Sequence, residues 1–128
     1  MTELQFADDI LARIRAKGGA FDERGYLFVL ASIEYVQSRL TVRRHISGAE
    51  LAWACRDLAR ERFGLLARPV LAHWGLTRTE DFGRIVFTLV EVGLLVTQPG
   101  DQVGDFDGVY DFADAFGDVY EWSGVRGA

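Results

Sequence analysis

Chemistry in this chain would have to start from two histidines, one cysteine and a run of aspartates. A histidine beside an acid can act as a general base, and a histidine beside a thiol can activate it. His45 and His73 lie far apart, and neither has a ligand at helical spacing. A His45–Asp or a His73–Cys55 pair would suffice, but no spacing in the sequence brings either together. Asp105-Phe-Asp-Gly108 invites a calcium-loop reading. With Gly108 at the sixth loop position, Asp107, Asp105 and Asp114 fall at the fifth, third and twelfth. Val103 then falls at the first, which requires an oxygen ligand. A divalent ion held loosely by Asp101, Asp105 and Asp107 competes with a plainer reading, turn residues that satisfy their own backbone. Asp81-Phe-Gly83 spells the metal-binding triplet of kinases, but the chain has no glycine-rich loop and the triplet falls inside a helical pattern. No cofactor is implied, no metal site is expected and no enzyme is expected.

Binding chemistry is better represented. Residues 1–100 are nearly neutral, while residues 101–128 carry seven acids against one base. The middle is rich in arginine: Arg39, Arg43, Arg44, Arg56, Arg60, Arg62 and Arg68. The C-terminal part interleaves Phe106, Tyr110, Phe112, Phe116 and Tyr120 with aspartates. Such a segment can seat its rings in a groove while its acids meet a basic rim. The alternative is that the rings cover the chain's own core and the acids face water. The interaction surface expected from sequence is therefore Arg39, Arg43, Arg44, Arg56, Arg60, Phe106, Tyr110, Phe112 and Phe116.

The elements that must position these residues are signalled by caps and glycine stops. Thr2-Glu-Leu-Gln5 predicts a capped helix ending at Gly18-Gly19. Asp22 predicts the cap of a helix over about 23–40. Its stripe Tyr26, Val29, Leu30, Ile33, Val36 and Leu40 is opposed by Phe28 and Tyr35, so it is either central to the fold or a partner face. Ser47-Gly-Ala-Glu50 predicts a capping box and a helix to Phe63, with Cys55 a small core residue. Leu65–Trp74 reads as a short helix stopped by Gly75. Thr77-Arg-Thr-Glu80 predicts a further capping box and a long apolar helix over about 78–92, stopped by Gly93, with a Glu80–Arg84 pair on its exposed strip.

Beyond it, Leu94–Thr97 and Val109–Phe112 read as strands, with Gln98-Pro-Gly-Asp101 as a type II turn. Helices followed by strand, turn and strand predict a mainly α fold with a small C-terminal β-hairpin, in a winged-helix-like arrangement. The organisation expected is one domain: N-terminal helices over 1–46, a winged-helix-like core over 47–116 and a flexible acidic tail over 117–128.

The block His73-Trp-Gly-Leu-Thr-Arg-Thr-Glu-Asp-Phe-Gly-Arg-Ile-Val-Phe, followed by Leu89-Val-Glu-Val-Gly-Leu-Leu95, resembles the core motif of an uncharacterised bacterial protein family of similar length. Tyr26–Leu30, Ser47–Leu51 and Asp105–Phe112 resemble its other blocks. The resemblance implies no activity and supplies no functional residues.

The function expected is a protein–protein interaction or adaptor module, with self-association permitted by the split between basic middle and acidic tail. The alternative is a nucleic-acid or ribosome-associated protein using the arginine-rich face. Charge disfavours it, because Glu80, Asp81 and Glu91 on the helix over about 78–92 and Asp101, Asp105 and Asp107 in the expected wing would face phosphates. No membrane span and no secretory leader are expected, and the single cysteine suits the cytoplasm.

Overall fold

The computed structural model describes residues 3–17 and 20–117. Five α-helices follow in order: α1 (Glu3–Lys17), α2 (Glu23–Ser38), α3 (Gly48–Phe63), α4 (Ala67–His73) and α5 (Thr79–Glu91). A 3-10 turn at Val103–Phe106 and a π-turn at Ala113–Gly117 come after them. The expected box at Thr2, the Gly18-Gly19 stop and the acidic tail from residue 118 lie outside the described residues.

Local chemistry sets the helix ends. Asp22 caps α2 by accepting the Arg24 N–H at 2.8 Å. At α3 the Ser47 hydroxyl accepts from the Glu50 N–H at 3.1 Å, and Glu50 accepts from the Ser47 N–H at 2.9 Å, a closed capping box. Helices α4 and α5 end in the same way. Leu76 N bonds Leu71 O at 2.8 Å, Gly75 N bonds Ala72 O at 2.9 Å, and Gly75 has φ +93°. Leu94 N bonds Leu89 O at 2.9 Å, Gly93 N bonds Val90 O at 3.0 Å, and Gly93 has φ +85°. Both are Schellman caps, which need a left-handed residue that glycine supplies without strain. The glycines of the His73-Trp-Gly and Glu91-Val-Gly blocks are thereby accounted for.

Helix α2 is the central element. Tyr26 and Val29 are buried on one side, and Phe28 is buried on another among Phe63 and Trp74, at ring distances of 6.3 and 5.7 Å. Its two apolar faces are therefore both met within the chain, by α3 and α5 among others. Helix α5 buries Phe82, Ile85 and Leu89 completely. At roughly 1.5–3 kcal/mol for each fully buried side chain of this size, those three together contribute about 5–9 kcal/mol.

The expected C-terminal β-hairpin, and with it the winged-helix arrangement, is not formed: no strand occurs among the described residues. The turn itself is present, since Asp101 N bonds Gln98 O at 3.0 Å and Gly100 has φ +94°. Pairing fails because the returning segment finds better partners in the helices. Thr79 Oγ1 donates to Phe106 O at 2.6 Å and accepts from Val109 N at 3.2 Å. Tyr110 donates its hydroxyl to Ala52 O at 2.8 Å. These bonds tie the 106–110 segment onto α3 and α5, and Phe106, Phe112 and Phe116 sink into the core.

Two finer expectations at α5 also change. The helix is capped by Asp81 rather than by a Thr77–Glu80 box: Asp81 Oδ2 accepts from Thr77 N at 3.0 Å and Arg78 N at 3.3 Å. Arg84 consequently pairs with Asp81, at 3.6 Å and three residues away, in place of Glu80.

Candidate functional site

The nine residues expected to form an interaction surface divide sharply. The rings of Phe106, Phe112 and Phe116 are 4%, 3% and 1% exposed. Phe112 lies 5.8 Å from Phe82 and 5.0 Å from Phe116, so these aromatics close the core over α3 and α5 and offer no face to a partner. Tyr110 is half-buried. Its burial pushes the phenol well above the usual range, so it stays protonated and holds its bond to Ala52 O.

The arginines lie on the surface, but most are engaged. Arg44 makes a bidentate pair with Glu50 at 2.7 and 3.1 Å, and this guanidinium, followed by the Ser47 N–H, draws the Glu50 carboxyl down to about 2. Arg43 reaches Glu34 at 3.4 Å, and Arg39 lies 4.0 Å from Glu61 with its guanidinium over the Tyr35 ring at 3.7 Å. Arg56 pairs with Asp57 at 2.8 Å and sits 5.0 Å over the Trp53 ring. Arg60 makes no ion pair among the described residues.

This arrangement brings forward a face that residue pattern alone did not single out. On the outer side of α3, Trp53 is 41% exposed, with its ring tilted 45° against that of Tyr110 at 4.7 Å and the Arg56 guanidinium over its face. Asp57, Arg60, Glu61, Gly64 and Leu65 line a shallow depression further along the same helix. Leu65, 63% exposed, closes its far end, and Leu66, 64% exposed, follows it on the same turn. Trp53 sits one step from the buried positions Ala52 and Ala54, where a tryptophan facing outward is the available signal. Leu65 and Leu66 fall at the start of the short helix expected over Leu65–Trp74. Instead Gly64, at φ +53°, and the 3-10 turn Gly64–Leu66 carry both side chains outward.

A second feature is a pocket of about 180 Å³ bounded by α2, α3, α5 and the 94–106 segment. Ile33, Leu51, Val86, Val90 and Leu95 form its apolar walls, and Gln37, His45, Asp101 and Asp105 its polar ones. His45 Nε2 stands 3.0 Å from Asp101 Oδ1, so one of the two histidine pairings considered above does form. The other does not serve: Cys55 is fully buried, and burial pushes its thiol up to about 12. The Ser47 hydroxyl on the pocket wall is committed to capping α3. A nucleophile activated by His45 is therefore not assembled from these groups. Asp101 Oδ2 accepts from Gln98 N at 2.7 Å and Asp105 Oδ2 from Gln102 N at 3.0 Å, the backbone-satisfying role open to turn residues. Among the described residues no three metal-binding side chains converge, and no helix is long and apolar enough to cross a membrane.

The chain matches no protein-family model, no curated protein and no solved structure.

Proposed function

We propose that the protein is a protein-interaction module that docks a partner on the outer face of α3, between Trp53 and Leu66. The observation that carries this reading is the exposed Trp53 ring, held in one orientation by Tyr110 at 4.7 Å and Arg56 at 5.0 Å. Exposed tryptophan, tyrosine and arginine in a fixed cluster are the residue types that dominate binding energy at interfaces. Holding the ring beforehand lowers the ordering cost of association. At about 1.5 Å per residue, the stretch of α3 from Trp53 to its last residue, Phe63, is roughly 15 Å long, a span matched by about three turns of a partner helix. Arg60 between them favours a partner with an acid among its apolar side chains. The ion pairs at Arg39, Arg43 and Arg44 weigh against the nucleic-acid reading, since each guanidinium already has a carboxylate beside it that would repel a phosphate.

The test is photo-crosslinking in the native cell with benzoylphenylalanine placed at position 53 or 65, and at Glu91 as a control exposed on α5. A discrete cross-linked species at 53 and 65 that is missing at 91 is expected. Equal cross-linking at all three positions, or none at 53 and 65, overturns the proposal. If the species is a dimer of this chain, its partner is a second copy.

A further inference from the structure

The pocket between α2, α3, α5 and the 94–106 segment has a chemistry of its own, and it does not depend on the docking face of α3. Its apolar part is mainly aliphatic, formed by Ile33, Leu51, Val86, Val90 and Leu95, with Phe87 and Phe106 beside them. Its volume, about 180 Å³, slightly exceeds that of the engineered apolar cavity of about 150 Å³ that takes up benzene. The space therefore suits one ring or a short branched chain.

The polar side of the pocket selects by charge. No lysine or arginine side chain lines it, whereas Asp101 and Asp105 both do. Arg44, the nearest cation in sequence, is turned onto Glu50 and the His45 carbonyl. Each aspartate accepts one backbone N–H, from Gln98 and Gln102, and Asp101 also meets His45. An ionised carboxylate has about four acceptor positions, so both retain capacity for a further donor.

A third acceptor is left over on the same wall. Gln37 donates its Nε2 to Arg44 O at 2.7 Å, while its Oε1 is buried with no hydrogen-bond partner. Exchanging the two ends of the amide would set oxygen against the Arg44 carbonyl, so the unpartnered atom is the oxygen. The last torsion of glutamine is broad, and a modest turn can present Oε1 to a donor seated in the pocket. The one buried side-chain polar atom left unsatisfied among the described residues, Gln37 Oε1, is an acceptor, and with two aspartates and no lysine or arginine on the wall the local charge is negative.

We infer that this pocket binds a small primary amine with a compact apolar body, the ammonium held by Asp101 and Asp105 with Gln37 as a further acceptor, and the ring or branched chain on Ile33, Val86, Val90 and Leu95. The probe is benzylamine, followed by amide chemical shifts of the full chain, with benzoate and toluene as controls of equal size. Saturable shifts around Val86, Val90 and Leu95 are expected with benzylamine at millimolar concentration. Binding of benzoate and of toluene should be at least about tenfold weaker, the equivalent of one lost charged interaction. Asp101→Asn should weaken benzylamine about fivefold to tenfold while leaving toluene unaffected. Val90→Trp fills the space and should abolish binding of all three. No saturable shift with benzylamine overturns the inference. So does equal or tighter binding of benzoate or toluene, or benzylamine binding that survives both substitutions in folded protein.

Discussion

The ring of Phe106 occupies the space that a β-carbon on Gly83 would need, its Cδ1 lying 2.8 Å from where that atom would stand. On its other side a β-carbon on Gly48 would come within 3.1 Å of Phe106 Cε1. Phe106 is thus seated between α3 and α5 at the one interior glycine of α5 and the first residue of α3. Gly83→Ala should destabilise the protein even though alanine is the better helix former by up to about 1 kcal/mol. The ring cannot retreat, because Thr79 holds the carbonyl of Phe106. Overpacking costs about 1–3 kcal/mol, so after the helix-propensity gain a net loss of up to about 2 kcal/mol is expected in urea denaturation. In a Phe106→Leu background the same change should cost clearly less, and a double-mutant cycle measures the difference.

This pair shows where the sequence was legible and where it was not. Caps and stops are local: Asp22, the Ser47–Glu50 box and the glycines at 75 and 93 each act within a few residues, and all could be read directly. The Gln98–Asp101 turn was equally local, and it forms. What the turn leads into is decided by contacts with distant residues. The hydroxyl of Thr79 takes up backbone groups at 106 and 109 that a strand partner would otherwise have met. A threonine near a helix start reads as a cap, and nothing in its neighbours reveals a partner 27 residues away. Gly83 gave a faint signal, since a glycine inside an amphipathic helix costs stability unless something packs against it. The aromatics at 106, 112 and 116 were open to two readings because charge alternation is the same whether rings face a partner or their own core. The outward turn of Leu65 and Leu66 follows from the backbone conformation of Gly64, which residue pattern does not encode.

Thr79 joins the C-terminal segment to α5 through one hydroxyl that both donates and accepts while fully buried. Thr79→Val keeps the shape and removes both bonds. Leaving the Phe106 carbonyl and Val109 N–H unpaired should cost about 2–3 kcal/mol. Amide hydrogen exchange at Val109 should accelerate more than exchange in α2. Thr79→Ser should restore most of the loss, which separates the bonding role from packing.

Acid should weaken the start of α3. The Glu50 carboxyl lies at about 2 in the folded protein against an ordinary value of 4.5, lowered first by Arg44 and then by the Ser47 N–H. A depressed folded value means the contribution is fully present above the ordinary value and is lost as pH falls from about 4.5 toward 2. The melting temperature should therefore drop across that window. Glu50→Gln keeps the capping geometry but removes the charge. Its melting curve should be flatter between pH 5 and pH 2, with only a fraction of a kcal/mol lost at neutral pH because the pair is partly solvated.

Cys55 should be inert while the protein is folded. It is fully buried, and its thiol is pushed up to about 12, so almost no thiolate exists at neutral pH. Reaction with a chromogenic disulfide reagent at pH 8 should run at least about a hundredfold slower than with a free thiol. The rate should become independent of reagent concentration at high reagent, where unfolding limits it. Fast labelling of native protein would contradict the burial.

Leu65 and Leu66 separate binding from stability most cleanly. Both are more than half exposed on the turn between α3 and α4, and Leu65 borders the depression beside Arg60. A Leu65→Ser, Leu66→Ser double variant removes apolar surface that already faces water, so the unfolding free energy should stay within about 0.5 kcal/mol of the parent. Partner docking should respond differently. Two leucines taken from water into an interface each contribute up to about 1.5–3 kcal/mol, so the cross-link formed from position 53 should fall by at least about tenfold. A variant that loses stability instead would place these side chains against the chain's own core. A variant that keeps both stability and the full cross-link would move the docking face away from the α3–α4 corner and toward Trp53 alone.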